Sequence, residues 1–173
     1  MWRYEPRFLD PRNVESSQIM VKTPAGSELE GADPELARYL GEGVRVIKQY
    51  GGVFDTFPLS LLTVQSVDGL SRFVGQPLDS LRFRPNILID SSEADPFPEE
   101  QWAGATLQIG TLRCRLDLRD KRCMMVNIDP SDLIANPDVL RAIARERAAQ
   151  FGMYGTTVEP GDLSVGDPVL LEM

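Results

Sequence analysis

The residue best suited to chemistry is Cys123, which follows the charged segment 119–122 (Arg-Asp-Lys-Arg). Neighbouring cations favour a thiolate, and a thiolate is a better nucleophile and metal ligand than a thiol. The second cysteine, Cys114, lies in segment 112–118, where apolar residues alternate with charged ones as on a half-buried strand. We therefore predict that Cys114 is a small core residue and that Cys123 is the reactive thiol. Asp120, in the charged segment, is expected to be exposed.

The basic residues narrow the possible chemistry further. The sequence contains no histidine, which excludes Ser-His and Cys-His dyads within the chain and metal sites that need imidazole. Of its 18 basic residues, all but Lys22, Lys48 and Lys121 are arginines. The rigid guanidinium fork suits bidentate binding of phosphate and carboxylate, although GC-rich codon usage would produce the same bias.

Composition limits the class of protein. With 42% hydrophobic and 25% charged residues, the 173-residue chain is typical of a soluble globular protein. No apolar run approaches the roughly 20 residues that span a bilayer, and the first residues lack the apolar core of a signal peptide. Two cysteines do not make a disulfide framework, so we expect a cytoplasmic protein. The net charge of −8 argues against nucleic acid or a membrane as the main partner.

Turn and cap signals predict a mainly β, barrel-like fold with about three short helices. Residues 1–17 are interpreted as an N-terminal extension and residues 18–173 as one domain. Strands are predicted over 18–23, 44–50, 59–64, 86–90, 106–109, 111–118, 124–128 and 168–171. Helices are expected to begin at Asp33, Ser66 and Asn136 and to end at Gly41, Gly75 and Gly152, the third being the longest. The acidic segment 91–100 is expected to be a surface loop.

Several motifs in a fixed order resemble one known family. They are segments 54–63 (FDTFPLSLLT), 82–87 (RFRPNI), 104–110, 122–123 (RC), 129–130 (DP), 151–154 (FGMY) and 160–169 (PGDLSVGDPV). Together they resemble the MOSC domain, named for the C-terminal domain of molybdenum cofactor sulfurases, over roughly residues 18–173. Each motif alone is weak, and the strength of the resemblance lies in their order.

The resemblance implies a site for the molybdenum–pterin cofactor. In the metal-binding branch of the family, the cysteine that matches Cys123 ligates molybdenum, and the residues that match Arg84, Asn86 and Arg122 contact the cofactor. In the sulfurase branch the same cysteine carries sulfur for the cofactor. The residue types agree with these roles, because a soft thiolate suits a sulfur-rich metal centre and guanidinium groups suit phosphate. Arg84 and Asn86 also share one face if the segment is extended.

Four departures from the family pattern affect this site. Leu81 replaces an arginine that is common in the family, Val126 and Asn127 replace two threonines, and segment 120–122 lacks a common proline. Many members are also longer at the N-terminus, with cofactor contacts in the additional part. We therefore expect a pocket that is open, lost, or completed by a partner such as a second subunit of a homodimer. Protein made in an ordinary host is expected to be free of molybdenum.

Three functions stay open at this point. A molybdenum oxidoreductase would need Cys123 as metal ligand and an external electron-transfer partner, because no flavin, haem or iron–sulfur motif is present. A sulfur carrier would need Cys123 exposed and a separate cysteine desulfurase, because no pyridoxal-phosphate domain fits in this chain. A cofactor-free interaction module would need only the fold.

The two cysteines are expected to differ in reactivity. Limited labelling of the native protein with a thiol reagent at neutral pH should modify Cys123 first, because Cys123 has adjacent cations and Cys114 belongs to the core alternation. Peptide mapping by mass spectrometry locates the label. Faster modification of Cys114 would reverse the assignment.

Overall fold

The computed structural model of the chain describes residues 3–47, 54 and 56–172. The chain divides into two compact units, residues 1–53 and residues 54–173. The boundary predicted at residue 18 stays a prediction. Residues 48–50 of the strand predicted over 44–50 lie outside the described residues, and residues 44–47 form no strand.

The first unit contains a three-stranded antiparallel sheet followed by a helix. Strands β1 (Glu5–Phe8), β2 (Ile19–Lys22) and β3 (Glu28–Glu30) pair in the order β1-β2-β3. Helix α1 (Pro34–Leu40) begins where the Asp33 carboxylate accepts a hydrogen bond from the Glu35 N–H at 2.8 Å, and it ends at Gly41. The cap prediction for this helix is confirmed.

The second unit is built on a curled six-stranded sheet that forms half a barrel, so the predicted mainly β fold is confirmed. Its strands are β4 (Leu59–Thr63), β5 (Ile87–Ile89), β6 (Thr106–Ile109), β7 (Leu112–Lys121), β8 (Gln150–Glu159) and β9 (Val169–Glu172). They pair in the order β5-β4-β8-β7-β6-β9, antiparallel except for β4 and β5. Helices α2 (Val64–Val74) and α3 (Asp138–Arg147) accompany the 3-10 turns Ser80–Phe83, Pro98–Trp102 and Met124–Asn127.

Two clusters of buried side chains make the core of this unit. One lies on the concave face of the sheet and includes Leu107, Leu116 and Met153. Cys114 belongs to this cluster and is 1% exposed, which confirms it as a core residue. The other cluster packs α2 and α3 against the sheet and includes the tilted ring pair Phe83 and Phe151, whose centroids are 4.6 Å apart.

Two of the predicted helix limits in the second unit need correction, the start of α2 and the end of α3. Helix α2 is capped by Thr63, whose hydroxyl oxygen accepts a hydrogen bond from the Ser66 N–H at 3.1 Å, so it starts before Ser66. Helix α3 ends at Ala148, in the left-handed conformation, and Gly152 lies within β8. With ten residues α3 is one shorter than α2, so it is not the longest helix.

The strand predicted over 124–128 was wrong. The segment forms the 3-10 turn Met124–Asn127, in which the Val126 N–H donates to the Cys123 carbonyl at 3.3 Å and the Ile128 N–H donates to the Met125 carbonyl at 3.1 Å. These local bonds replace sheet pairing at the end of β7, so an apolar run forms a turn here.

The acidic segment 91–100 is not a solvated surface loop throughout, because Glu99 within it is 0% exposed. Its carboxylate accepts hydrogen bonds from the Ser66 hydroxyl at 2.6 and 2.7 Å and from the Thr63 hydroxyl at 2.7 Å. Burial raises the pKa of Glu99, and the two hydroxyl bonds oppose that rise. The segment is therefore anchored to the first turn of α2.

The raised pKa of Glu99 sets a pH dependence of stability. The folded protein holds this proton more tightly than the unfolded chain, so the contribution of Glu99 to stability falls as the pH rises from the ordinary value of 4.5 through the folded pKa. We expect Glu99→Gln to match the wild type at about pH 4 and to exceed it in unfolding free energy at about pH 8. Urea unfolding of both proteins across this range measures the difference. A difference that does not change with pH would contradict the assignment.

Candidate functional site

The candidate site is organised by Arg122, whose side chain is 8% exposed. Its Nε donates to the Phe151 carbonyl at 2.7 Å and its Nη1 donates to the Phe83 carbonyl at 2.9 Å. Nη1 is also 3.0 Å from the carboxylate of Asp120. Burial lowers the pKa of Arg122, and the charge of Asp120 opposes that effect. This one guanidinium therefore joins the end of β7 to β8 and to the 3-10 turn Ser80–Phe83.

Asp120 extends the network toward β4. It is 3% exposed, so the expectation that it lies at the surface was wrong. Its carboxylate accepts hydrogen bonds from the Ser60 hydroxyl at 3.0 Å and from the Tyr154 hydroxyl. Burial raises the pKa of Asp120, and the Arg122 charge is the largest opposing effect. Local sequence could not reveal the Ser60 contact, because Ser60 is 60 positions away.

Asn86 is fixed to the same strand. The Ser60 N–H donates to Asn86 Oδ1 at 2.8 Å, and the Asn86 N–H donates to the Ser60 carbonyl at 2.7 Å. The amide side chain therefore closes the start of the β4–β5 pair, which is a structural role. Asn86 is nevertheless exposed, so part of it faces solvent.

Cys123 is presented to solvent directly after the buried Arg122. It is an exposed free thiol and begins the turn Met124–Asn127, where it makes no side-chain cap hydrogen bond. Arg84 is also exposed and follows Phe83 in the left-handed conformation, with φ 53°. Arg122 donates a hydrogen bond to the Phe83 carbonyl, and each of these two residues is followed directly by an exposed site residue: Cys123 after Arg122, and Arg84 after Phe83.

The four predicted site residues belong to one connected part of the fold. Contacts run from Asn86 through Ser60 and Asp120 to Arg122, and from Arg122 to the residue before Arg84. Their common role in one site stays a prediction. The orientation of Arg122 differs from the expectation of a direct ligand contact, because two of its nitrogens bind main-chain carbonyls. Its Nη2 is buried and has no hydrogen-bond partner among the described residues.

Two residues essential to this geometry escaped the sequence interpretation. The first is Arg82, whose Nη1 donates to the carbonyls of Val126 at 3.1 Å and Asn127 at 2.8 Å. Its Nη2 pairs with the Asp129 carboxylate at 2.5 Å. Arg82 therefore fixes the turn that follows Cys123. The sequence feature that could have identified Arg82 is its position in the motif 82–87, two residues before Arg84.

The second is Gly152, with φ +79°. A Cβ there would lie 2.8 Å from the Leu61 carbonyl oxygen and 3.2 Å from Nη2 of Arg122. Only glycine leaves room for the guanidinium beside β4. The motif 151–154 contained this residue, but its role depends on a contact that local sequence does not show.

Comparison with known proteins decides the family. The family model for the MOSC domain matches residues 48–170. The chain belongs to the MOSC domain family.

Among relatives of this MOSC protein, mitochondrial amidoxime-reducing component 1 of Homo sapiens is 28% identical over 130 residues, covering 68% of this chain and 37% of that protein. Mitochondrial amidoxime reducing component 2 of Rattus norvegicus is 29% identical over 128 residues, covering 66% and 37%. The chain thus spans a little over a third of the length of these relatives. YiiM from Geobacillus stearothermophilus matches in fold with a TM-score of 0.52 and 17% identity, over 68% of this chain and 55% of that chain.

Two further observations concern metals and membranes. Within residues 3–47, 54 and 56–172, no group of three or more His, Cys, Asp or Glu residues could hold a metal ion. A metal bound to Cys123 would therefore need its other ligands from a cofactor, and the two sulfur atoms of a dithiolene are ligands of that kind. The exposed thiol and the exposed groups of Arg84 and Asn86 fit such a cofactor.

The helices of the described segments include none with the length and apolarity to cross a membrane.

The pairing of Asp120 with Arg122 should dominate the stability of this region. Asp120→Ala would leave a buried guanidinium without its carboxylate, which we expect to lower the unfolding free energy by about 3–5 kcal/mol. As a matched control, Asp138→Ala breaks an exposed pair with Arg141 and should cost less than about 1 kcal/mol. Urea unfolding monitored by circular dichroism measures both. Equal losses in the two variants would show that the buried pair is not a dominant contact.

Proposed function

We propose that this MOSC domain binds a molybdenum–pterin cofactor, with the Cys123 thiolate as the protein ligand to the metal. The observation that carries the proposal is the contrast between the two thiols. Cys123 is exposed beside an anchored guanidinium, whereas Cys114 is 1% exposed in the core. A soft thiolate ligand is the kind that a sulfur-rich metal centre accepts.

The surrounding side chains have separate roles in this proposal. Arg84 supplies an exposed guanidinium suited to the cofactor's phosphate, and the exposed part of Asn86 supplies a hydrogen-bonding amide. Arg122 acts mainly as a positioning residue, because its bonds to Phe83 and Phe151 hold the main chain from which Cys123 projects. When bound, the cofactor would supply oxygen-atom transfer coupled to electron exchange.

The names of the relatives support a reductive role with a partner. They are described as amidoxime-reducing components, and a component acts together with other proteins. We propose that this chain likewise receives electrons from a separate electron-transfer protein. The cytoplasm as its compartment and a homodimer as its assembly stay predictions.

The exposure of Cys123 also favours a second candidate, a sulfur carrier. The Cys123 thiolate would attack the terminal sulfur of a persulfide on a separate cysteine desulfurase. A new sulfur–sulfur bond forms at Cys123, the donor's sulfur–sulfur bond breaks, and the donor cysteine leaves as a thiolate. No oxidant is consumed in this transfer.

Metal analysis after expression in a host that overproduces the cofactor tests the first candidate. We expect molybdenum in the wild type and in Cys114→Ser, and its loss in Cys123→Ser, because only Cys123 is exposed for ligation. Circular dichroism of each variant confirms that it is folded. Molybdenum retained by Cys123→Ser would contradict the ligand assignment.

Intact-mass measurement after incubation with a desulfurase and cysteine tests the second candidate. A carrier gains one sulfur atom that a reducing agent removes, and the gain disappears in Cys123→Ser but not in Cys114→Ser. Absence of both molybdenum and the sulfur adduct from the wild type would leave a cofactor-free interaction module.

A further inference from the structure

A groove lies where the two edge strands of the six-stranded sheet approach each other. The strand order places β5 at one edge and β9 at the other. Residues from both edges, including Leu88, Ile89 and Leu171, line a groove of about 520 Å³, with Leu107 and Trp102 among the other lining residues. This volume lies within the range of about 300–1,000 Å³ found for binding pockets. We call it the seam groove.

The apolar inner face of the sheet is incompletely covered at this groove. Leu171 of β9 pairs in register with Leu107 of β6, so both side chains point to the same face. Leu107 is 0% exposed, whereas Leu171 is 39% exposed. Across the groove, Leu88 of β5 is 45% exposed; it points away from the buried Ile87 and Ile89, to the other face of the sheet. An occupant of the groove would therefore bury apolar surface that the chain itself leaves in water.

The polar lining of the groove is negative. Asp90, Glu93 and Asp167 line it, and none of the described lysines or arginines does. Their carboxylates accept hydrogen bonds from neutral donors: the Gln65 amide at 2.8 Å, the Trp102 indole N–H at 3.0 Å and the Ser164 N–H at 2.7 Å. Within the described part of the chain, none of the three carboxylates forms an ion pair. The lining is therefore complementary to a cation.

We propose that the seam groove binds an extended segment of a partner protein in which lysine or arginine alternates with apolar residues. The segment adds a strand beside β9, whose outer edge has no strand partner in the described sheet. Alternation is required because successive side chains of a strand point to opposite faces. The apolar side chains of the segment cover Leu171, and its lysine or arginine side chains contact the carboxylates. Main-chain hydrogen bonds to β9 hold the added strand. A second copy of this chain fits less well, because its net charge is −8.

This inference does not depend on the proposed function. The groove lining includes none of Arg84, Asn86, Arg122 and Cys123. Loss of cofactor binding in Cys123→Ser therefore leaves the groove intact, and the two hypotheses fail separately.

The probe is a fluorescein-labelled, end-capped hexapeptide of alternating lysine and valine, titrated with the protein and followed by fluorescence anisotropy. The test variant is the triple substitution Asp90→Asn, Glu93→Gln and Asp167→Asn, which keeps the acceptor oxygens for Gln65, Trp102 and Ser164. The control variant, Asp68→Asn, Asp138→Asn and Glu146→Gln, removes the same charge from exposed positions on α2 and α3. We expect the test variant to bind about tenfold more weakly and the control variant to change less than about twofold.

Two further peptides separate strand addition from charge attraction. A copy N-methylated at alternate residues cannot make the main-chain bonds, and a copy with three lysines followed by three valines loses the alternation. Each should bind about tenfold more weakly than the probe. Failure of the wild type to bind the probe, equal binding of the altered peptides, or full binding by the groove variant would overturn the proposal. A homodimer that only the groove variant dissociates would assign the groove to a second copy and also overturn it.

Discussion

The buried guanidinium of Arg122 is the constraint on which the rest of the site depends. Moving an ion of this kind out of water costs several kcal/mol unless charges and hydrogen bonds replace the lost hydration. Here Asp120 supplies the charge, and the carbonyls of Phe83 and Phe151 supply the hydrogen bonds. The end of β7 cannot shift without breaking these bonds. Cys123, the next residue, is therefore held at the surface by a group beneath it.

A second arginine completes this arrangement from the other side. Arg82 binds the carbonyls of Val126 and Asn127, so the turn after Cys123 is fixed as firmly as the strand before it. The side chains of Arg82 and Arg122 are 2% and 8% exposed, and each contacts main-chain carbonyls and one carboxylate. The arginine bias of the sequence thus has a structural component. Arg84 differs from both, because it is exposed, and it is the arginine to which the proposed site assigns the cofactor's phosphate.

The sequence correctly predicted the elements whose ends carry local capping or turn residues. The Asp33 cap, the strand at Leu59 and the β6–β7 hairpin were correct because their capping, burial and turn residues lie within a few positions. The buried Glu99 was missed because its hydroxyl partners lie 33 and 36 positions away in the sequence. Strand β8 was missed for a similar reason. Glycines interrupt its alternation, and one of them, Gly152, makes room for Arg122.

Strand β5 lies between the proposed cofactor site and the proposed groove site. It is three residues long, and it begins directly after Asn86 and ends directly before Asp90 of the seam groove. A displacement at Asp90 could reach Asn86 along this strand or, through the Gln65 hydrogen bond, by way of α2. Pairing of β5 with β4 opposes that displacement, and two hydrogen bonds between Asn86 and Ser60 fix the far end. These contacts oppose the spread of a displacement from the proposed groove site to the end of the sheet that holds Cys123.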